Sequence, residues 1–139
     1  RTRRLKREEE KCKEKALEVL EFTGLSHLAD RITANISQEE KKRTAFALAL
    51  ATDPSVLFLD EPAAGINPDE TEGLTDLIKR ISSTGITICL IEHKMQMIMK
   101  LADKIMVLNH GEKIAEGTPE EIQNNEEVIR AYLGGEAIA

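Results

Sequence analysis

Residues 56–91 restrict the possible folds more than any other stretch. Val56-Leu-Phe-Leu59 is a short, wholly apolar run, and Thr87 to Ile91 reads as another buried strand. Between them Asn67 offers a helix cap, Pro68 sits at a first helical position, and Asp69 and Glu70 suit the positive end of a helix dipole. Leu74, Leu77, Ile78 and Ile81 then repeat at helical spacing before Gly85. Short runs with no polar alternation fit strands buried on both faces of a parallel sheet. Two such strands joined through a helix close as a right-handed crossover, so the expected class is α/β.

The flanking segments add helices and a hairpin. From about Arg4 to Thr23 the apolar positions Cys12, Ala16, Leu17, Val19 and Leu20 keep to one side of a helical wheel, and Gly24 supplies a stop. Ser37 and Glu40 form an S-x-x-E capping box ahead of an Ala/Leu-rich helix that Asp53-Pro54 ends. After the second strand come Glu92, His93 and a Met-rich helix, whose stripe from Met95 to Met99 reads as core packing, and then a strand from Lys104 to Leu108. Asn109 to Glu112 turns that strand into Lys113 to Glu116, an antiparallel hairpin at the sheet edge. Thr118-Pro119-Glu120-Glu121 starts a capped helix, and Asn125 to Leu133 gives a last one.

Composition narrows the function classes. Of 139 residues only 3% are aromatic and none is Trp, which leaves little for stacking on bases and argues against nucleic-acid binding. The net charge of −6 is uneven, with 12 Lys/Arg against 9 Asp/Glu in residues 1–43 and 7 against 16 afterwards. The basic opening RTRRLKREEEKCKEK interleaves Glu with Lys at helical spacing and reads as a solvated helix face. Cys12 and Cys89 lie far apart with no CxxC, so neither a zinc site nor a disulfide framework is expected. The longest apolar stretch, Ala45 to Ala51, is far below a membrane span, and a cytoplasmic protein is the expectation.

In open parallel sheets, sites form beyond the carboxyl ends of strands, where Asp60, Glu61 and His93 all fall. An Asp ending an apolar strand can hold Mg²⁺ through water, and an adjacent Glu can orient or deprotonate an attacking water. A His at a neighbouring strand end can hydrogen-bond a γ-phosphate. Each residue taken alone reads as a cap or a solvated side chain; together, at strand ends, they read as a nucleotide site.

"SVLFLDEPAAGINPDET" followed by "ITICLIEHKMQMIMKLADKIMVLNHGEKIAEGTPEEI" resembles the C-terminal portion of an ABC transporter nucleotide-binding domain, and it and the closing "IRAYLGG" are most similar to the branched-chain amino acid uptake branch. The resemblance implies a partial P-loop NTPase-type fold with a mostly parallel sheet and flanking helices. Residues 1–52 would form a helical subdomain facing the membrane partner, and 53–139 the C-terminal part of the α/β core. It implies Asp60 as the Walker B carboxylate for Mg²⁺, Glu61 as catalytic glutamate, and His93 as the switch histidine. Ala64 to Asn67, including Gly65, would be the D-loop; Gly65 also reads as a plain loop glycine. The implied cofactors of a complete domain are ATP and Mg²⁺. The implied partners are a second ATP-binding subunit and transmembrane permease subunits at the inner face of the cell membrane.

Three departures bear on activity. No GxxxxGK[ST] occurs among the 139 residues, so nothing cradles the β- and γ-phosphates, and the chain alone is expected neither to bind nor to hydrolyse ATP. The family's signature Gly is replaced by Glu39 in Ile36-Ser37-Gln38-Glu39-Glu40, which puts charge and bulk where a phosphate would approach a helix start. Ser37 keeps its hydroxyl, with capping and phosphate contact both open to it. Asn67 stands where many D-loops carry Asp. The alternative function is a non-catalytic domain or fragment that dimerises or binds a partner, including self-association through an open sheet edge. A phosphoacceptor receiver domain would need acids after a first strand, whereas this chain opens with two helices.

Overall fold

The computed structural model describes residues 2–132. It divides into two compact units, one ending at Ile91 and one starting at Glu92. The tail of the expected last helix, Leu133, and the two glycines that close "IRAYLGG" lie outside the described residues.

In the first unit, helix α1 (Arg3–Thr23) stops where Gly24 takes φ 79°, and the Gly24 N–H donates back to the Glu21 carbonyl. Glycine enters this left-handed region without strain, which makes it the natural terminator. The expected apolar face is realised only near that end. Val19 and Thr23 are buried, while Cys12, Ala16 and Leu17 remain exposed. A helix of 21 residues is about 30 Å long, and only its last turns meet neighbours in the unit. Helix α2 (Gln38–Leu50) is packed across that end and buries Phe46 and Ala47.

Strands β1 (Val56–Asp60) and β2 (Thr87–Ile91) pair in parallel around helix α3 (Pro68–Ser83), with Val56 opposite Thr87, Phe58 opposite Cys89 and Asp60 opposite Ile91. The expected strand–helix–strand order with parallel pairing is present. Asn67 caps α3 by accepting the Glu70 N–H at 2.9 Å. Leu74, Leu77, Ile78 and Ile81 are each no more than 2% exposed. Burial of this kind stabilises by about 2 kcal/mol per side chain. Arg80 on α3 donates to the Phe22 carbonyl at 2.9 Å and lies 4.8 Å above the Phe22 ring.

One expectation fails here. The strands are not buried on both faces: Val56, Phe58 and Ile91 are 45%, 77% and 63% exposed, and Thr87 and Cys89 are exposed with them. Side chains alternate across a sheet, so these five belong to one face, whereas Leu57 on the other is buried. The described residues cover one side of this sheet only.

In the second unit, helix α4 (Met95–Leu101) buries Met97, as the Met stripe suggests. Strands β3 (Ile105–Asn109) and β4 (Glu112–Gly117) form the expected antiparallel hairpin as a two-stranded sheet of its own. Its loop residues His110 and Gly111 have φ 48° and 83°, the doubly left-handed turn that matches strand twist. Helix α5 (Pro119–Gln123) carries the Thr118/Glu121 capping box, and Asn125 Oδ1 accepts N–H groups at the start of helix α6 (Glu126–Tyr132). Ile105, Val107, Ala115, Ile122 and Val128 make the core, with Tyr132 donating its hydroxyl to the Leu108 carbonyl at 2.8 Å.

Candidate functional site

The two acids that end β1 are placed differently from each other. Asp60 is the last strand residue; it is exposed and shares the uncovered face with Phe58. Glu61 leaves the strand at φ 43°, left-handed backbone that a non-glycine residue adopts only when its surroundings hold it there. Two hydrogen bonds do so: the Glu61 N–H donates to the Ile91 carbonyl at 2.9 Å, and the Ala64 N–H donates to the Glu61 carbonyl at 3.0 Å. The backbone therefore fixes the direction in which the Glu61 carboxylate leaves the sheet. The sequence shows the adjacency of the acids but gives no sign of this conformation.

The following loop is anchored from within. Ala63 is fully buried and Ile66 nearly so, while Ala64 and Gly65 between them are exposed, with Gly65 at φ 77°. A Cβ added at Gly65 would meet nothing within 4 Å, so backbone conformation alone requires the glycine there. Asn67 spends its side-chain oxygen on the α3 cap.

The α2 start is closed by its own residues. Ser37 Oγ accepts the Glu40 N–H at 3.1 Å while Glu40 Oε2 accepts the Ser37 N–H at 2.6 Å. That backbone bond is the main reason the Glu40 carboxyl lies below its usual range, with the Ser37 hydroxyl and His27 adding to it. Of the two roles open to Ser37, capping is the one the structure displays.

Glu39, which brings charge and bulk to the α2 start, is paired there. Arg43 Nε donates to its Oε1 at 2.6 Å, and the two side chains are only 18% (Arg43) and 23% (Glu39) exposed. Arg43 also donates to the Thr23 carbonyl at 3.2 Å and reaches Gly73, where an added Cβ would stand 3.0 Å from Nη2. One guanidinium thus joins the end of α1, the start of α2 and the small residue of α3. Arg43 escaped the sequence reading, although its position four residues after Glu39 was the available signal.

His93 belongs to the second unit and is exposed just ahead of Lys94, the N-cap position of α4. Its neighbour Glu92 buries both carboxylate oxygens with no hydrogen-bond partner among the described residues, a costly arrangement that the sequence does not reveal.

Asp60 offers carboxylate oxygen, the ligand type Mg²⁺ takes when it keeps most of its waters. Among the described residues no group of three or more His, Cys, Asp or Glu side chains could hold a metal ion.

Comparison with known proteins gives concordant results. The family described as "ABC transporter" matches residues 2–64, and the family described as "Branched-chain amino acid ATP-binding cassette transporter" matches residues 112–138. The chain is 44% identical over 130 residues to the high-affinity branched-chain amino acid transport ATP-binding protein LivG of Salmonella typhimurium, covering 93% of this chain and 51% of LivG. It is 42% identical over 130 residues to BraF of Pseudomonas aeruginosa, a protein of the same description, with the same coverage. Among solved structures, the ADP conformation of MJ1267, an ATP-binding cassette of an ABC transporter, superposes with a TM-score of 0.81 at 31% identity, over 89% of this chain and 50% of that one. The chain spans about half the length of the relatives it matches.

Proposed function

Because the chain belongs to the family of ABC transporter ATP-binding proteins, whose C-terminal portion it matches, we propose that it carries half of the nucleotide site of a subunit that powers import of branched-chain amino acids. The observation that carries the proposal is the end of β1, where Asp60 and Glu61 leave a parallel strand side by side and Glu61 is pinned in left-handed backbone by the Ile91 carbonyl. Strand ends are where open α/β sheets bind ligands.

Asp60 would hold Mg²⁺ through water, and Glu61 would orient the attacking water and take its proton. Bound Mg²⁺-ATP supplies the electrophilic γ-phosphorus and the charge neutralisation that phosphoryl transfer needs. His93 donates a hydrogen bond to the γ-phosphate. Gly65 and Asn67 lie in the loop that meets the second ATP-binding subunit, and residues 1–52 face transmembrane permease subunits at the inner side of the membrane. No helix among the described residues is long and apolar enough to cross a membrane.

A second reading, partner binding without turnover, draws support from the α2 start. There the Ser37/Glu40 box and the Glu39–Arg43 pair occupy the groups that would otherwise meet a phosphate. Calorimetry separates the two. The 139-residue chain, which has no GxxxxGK[ST], should give no saturable Mg²⁺-ATP isotherm at submillimolar nucleotide. The same chain joined behind the part of LivG that precedes the matched stretch should bind and hydrolyse ATP. A clear isotherm from the chain alone, or no binding by the joined protein, contradicts the proposal.

A further inference from the structure

The first two turns of α1 carry cations that nothing among the described residues answers. Thr2 to Glu14 are all exposed, because the helix meets its neighbours only through its last turns. Arg3, Lys6 and Arg7 stand three and four residues apart, which brings them to one side of the helix. Arg4 spends its charge on Glu8 at 3.2 Å, whereas Arg3, Lys6 and Arg7 make no ion pair among the described residues. Glu10 follows on the same side one turn later and leaves them unpaired.

No acid lies in the first turn. Helical side chains lean toward the N-terminus, so the long stems of Arg3, Lys6 and Arg7 carry their charges toward that end and away from Glu8, Glu9 and Glu10. The three cations span about 6 Å of helix axis, inside a Debye length of about 10 Å at 0.1 M salt, and so act on a charged surface as one group.

The chemistry of the patch selects its partner. A protein interface is built round an apolar or aromatic centre from which Lys is depleted, and this side of the first turns offers only Arg3, Lys6, Arg7 and Glu10. A nucleic-acid strand laid along the helix would meet the carboxylates of Glu8, Glu9 and Glu10 and would find no aromatic ring to stack on between residues 2 and 14. An anionic lipid surface needs neither pocket nor apolar centre. Met at the basic end, it attracts each Lys or Arg by about fivefold in partition and leaves the acids on the far side.

We propose that the basic turns of α1 rest on anionic lipid headgroups at the inner face of the membrane, as a salt-sensitive contact that adds to permease docking. The proposal rests on the placement of residues 1–52 given above. Without an apolar anchor the attachment is reversible.

Vesicle sedimentation tests it. The 139-residue chain is spun with vesicles of phosphatidylcholine alone, and with vesicles containing about one third phosphatidylglycerol, at about 0.05 M and about 0.5 M salt. It should partition into the anionic vesicles at the lower salt and be released at the higher. Arg3→Gln combined with Lys6→Gln and Arg7→Gln should weaken partition about 25-fold, from three charges at about fivefold each less one for Glu10. Lys41→Gln combined with Lys79→Gln and Lys100→Gln removes the same net charge from exposed positions elsewhere and should change partition by less than about twofold. Equal loss in the two triple variants overturns the proposal, because net charge and not this patch then sets the binding. So does equal binding to phosphatidylcholine alone, release by inorganic phosphate at constant ionic strength, or single-stranded RNA that binds as tightly as the anionic vesicles. Mg²⁺-ATP turnover of the joined protein is read separately: turnover without vesicle binding removes the lipid contact and leaves the subunit reading, and vesicle binding without turnover does the reverse.

Discussion

Glu39→Gly restores the small residue that the family carries at the start of α2, and the structure gives the sign and size of its effect. The variant loses a charge-assisted hydrogen bond of 2.6 Å between side chains 18% and 23% exposed. Such bonds contribute about 1.5–3 kcal/mol when fully buried, so partial solvent screening leaves about 1–2. It also loses an acid from the first turn, a further ~0.5 kcal/mol of dipole interaction, and gains the backbone freedom of glycine, another ~0.5. Together these destabilise by about 2–3 kcal/mol, a shift of roughly 1–2 M in the urea midpoint. The assay is urea unfolding followed by far-UV circular dichroism, with Glu39→Gln as the control. Gln keeps an acceptor for Arg43 and should lose only about 1 kcal/mol. In the joined protein the same Glu39→Gly variant should hydrolyse ATP faster, because the α2 start is then open to a phosphate. A Gly variant with an unchanged midpoint, or a Gln variant as damaged as the Gly one, would refute the view that Glu39 is held for its pairing with Arg43.

Three other residues have measurable roles. Glu61→Gly should stabilise the chain by about 1 kcal/mol in the same assay, because it relieves left-handed backbone at φ 43°. Leu74→Ala, at a side chain with no exposure, should cost about 2–5 kcal/mol, and a smaller loss would mean that α3 is not the centre of its unit. Hydrogen bonds from Lys104 and then Lys113 hold the Glu116 carboxyl down to about 2 from the usual 4.5. Its folded pKa is depressed, so the stabilising contribution is complete above about 4.5 and is lost as pH falls toward 2. Acid unfolding of Glu116→Gln should be less steep across that window, and a curve parallel to the parent would contradict the assignment.

Local chemistry made most of the fold legible. Gly24, Ser37 with Glu40, Asn67-Pro68 and Thr118-Pro119 each marked a boundary that the structure keeps, because caps and stops act within a few residues. The run VLFLD correctly announced a strand that requires cover, but an apolar pattern cannot say whether the cover belongs to the same stretch of chain. Phe58 therefore came out exposed. The acids of the candidate site were readable as adjacent residues, whereas the turn that separates them depends on the Glu61 N–H finding the Ile91 carbonyl across the sheet. Glu39 is a related case. Its charge was visible in the sequence, but its neutralisation required Arg43 to be held in place by the Thr23 carbonyl, 20 residues before it in the chain.

The central claim, that Asp60 and Glu61 are half of a nucleotide site, is tested most directly by Glu61→Gln in the protein joined to the preceding part of LivG. Phosphate release and Mg²⁺-ATP binding are measured on one preparation. Turnover should fall to background while the binding isotherm stays that of the parent, since the amide keeps the pinned backbone and loses only the proton acceptor. Undiminished phosphate release from that variant would contradict the account.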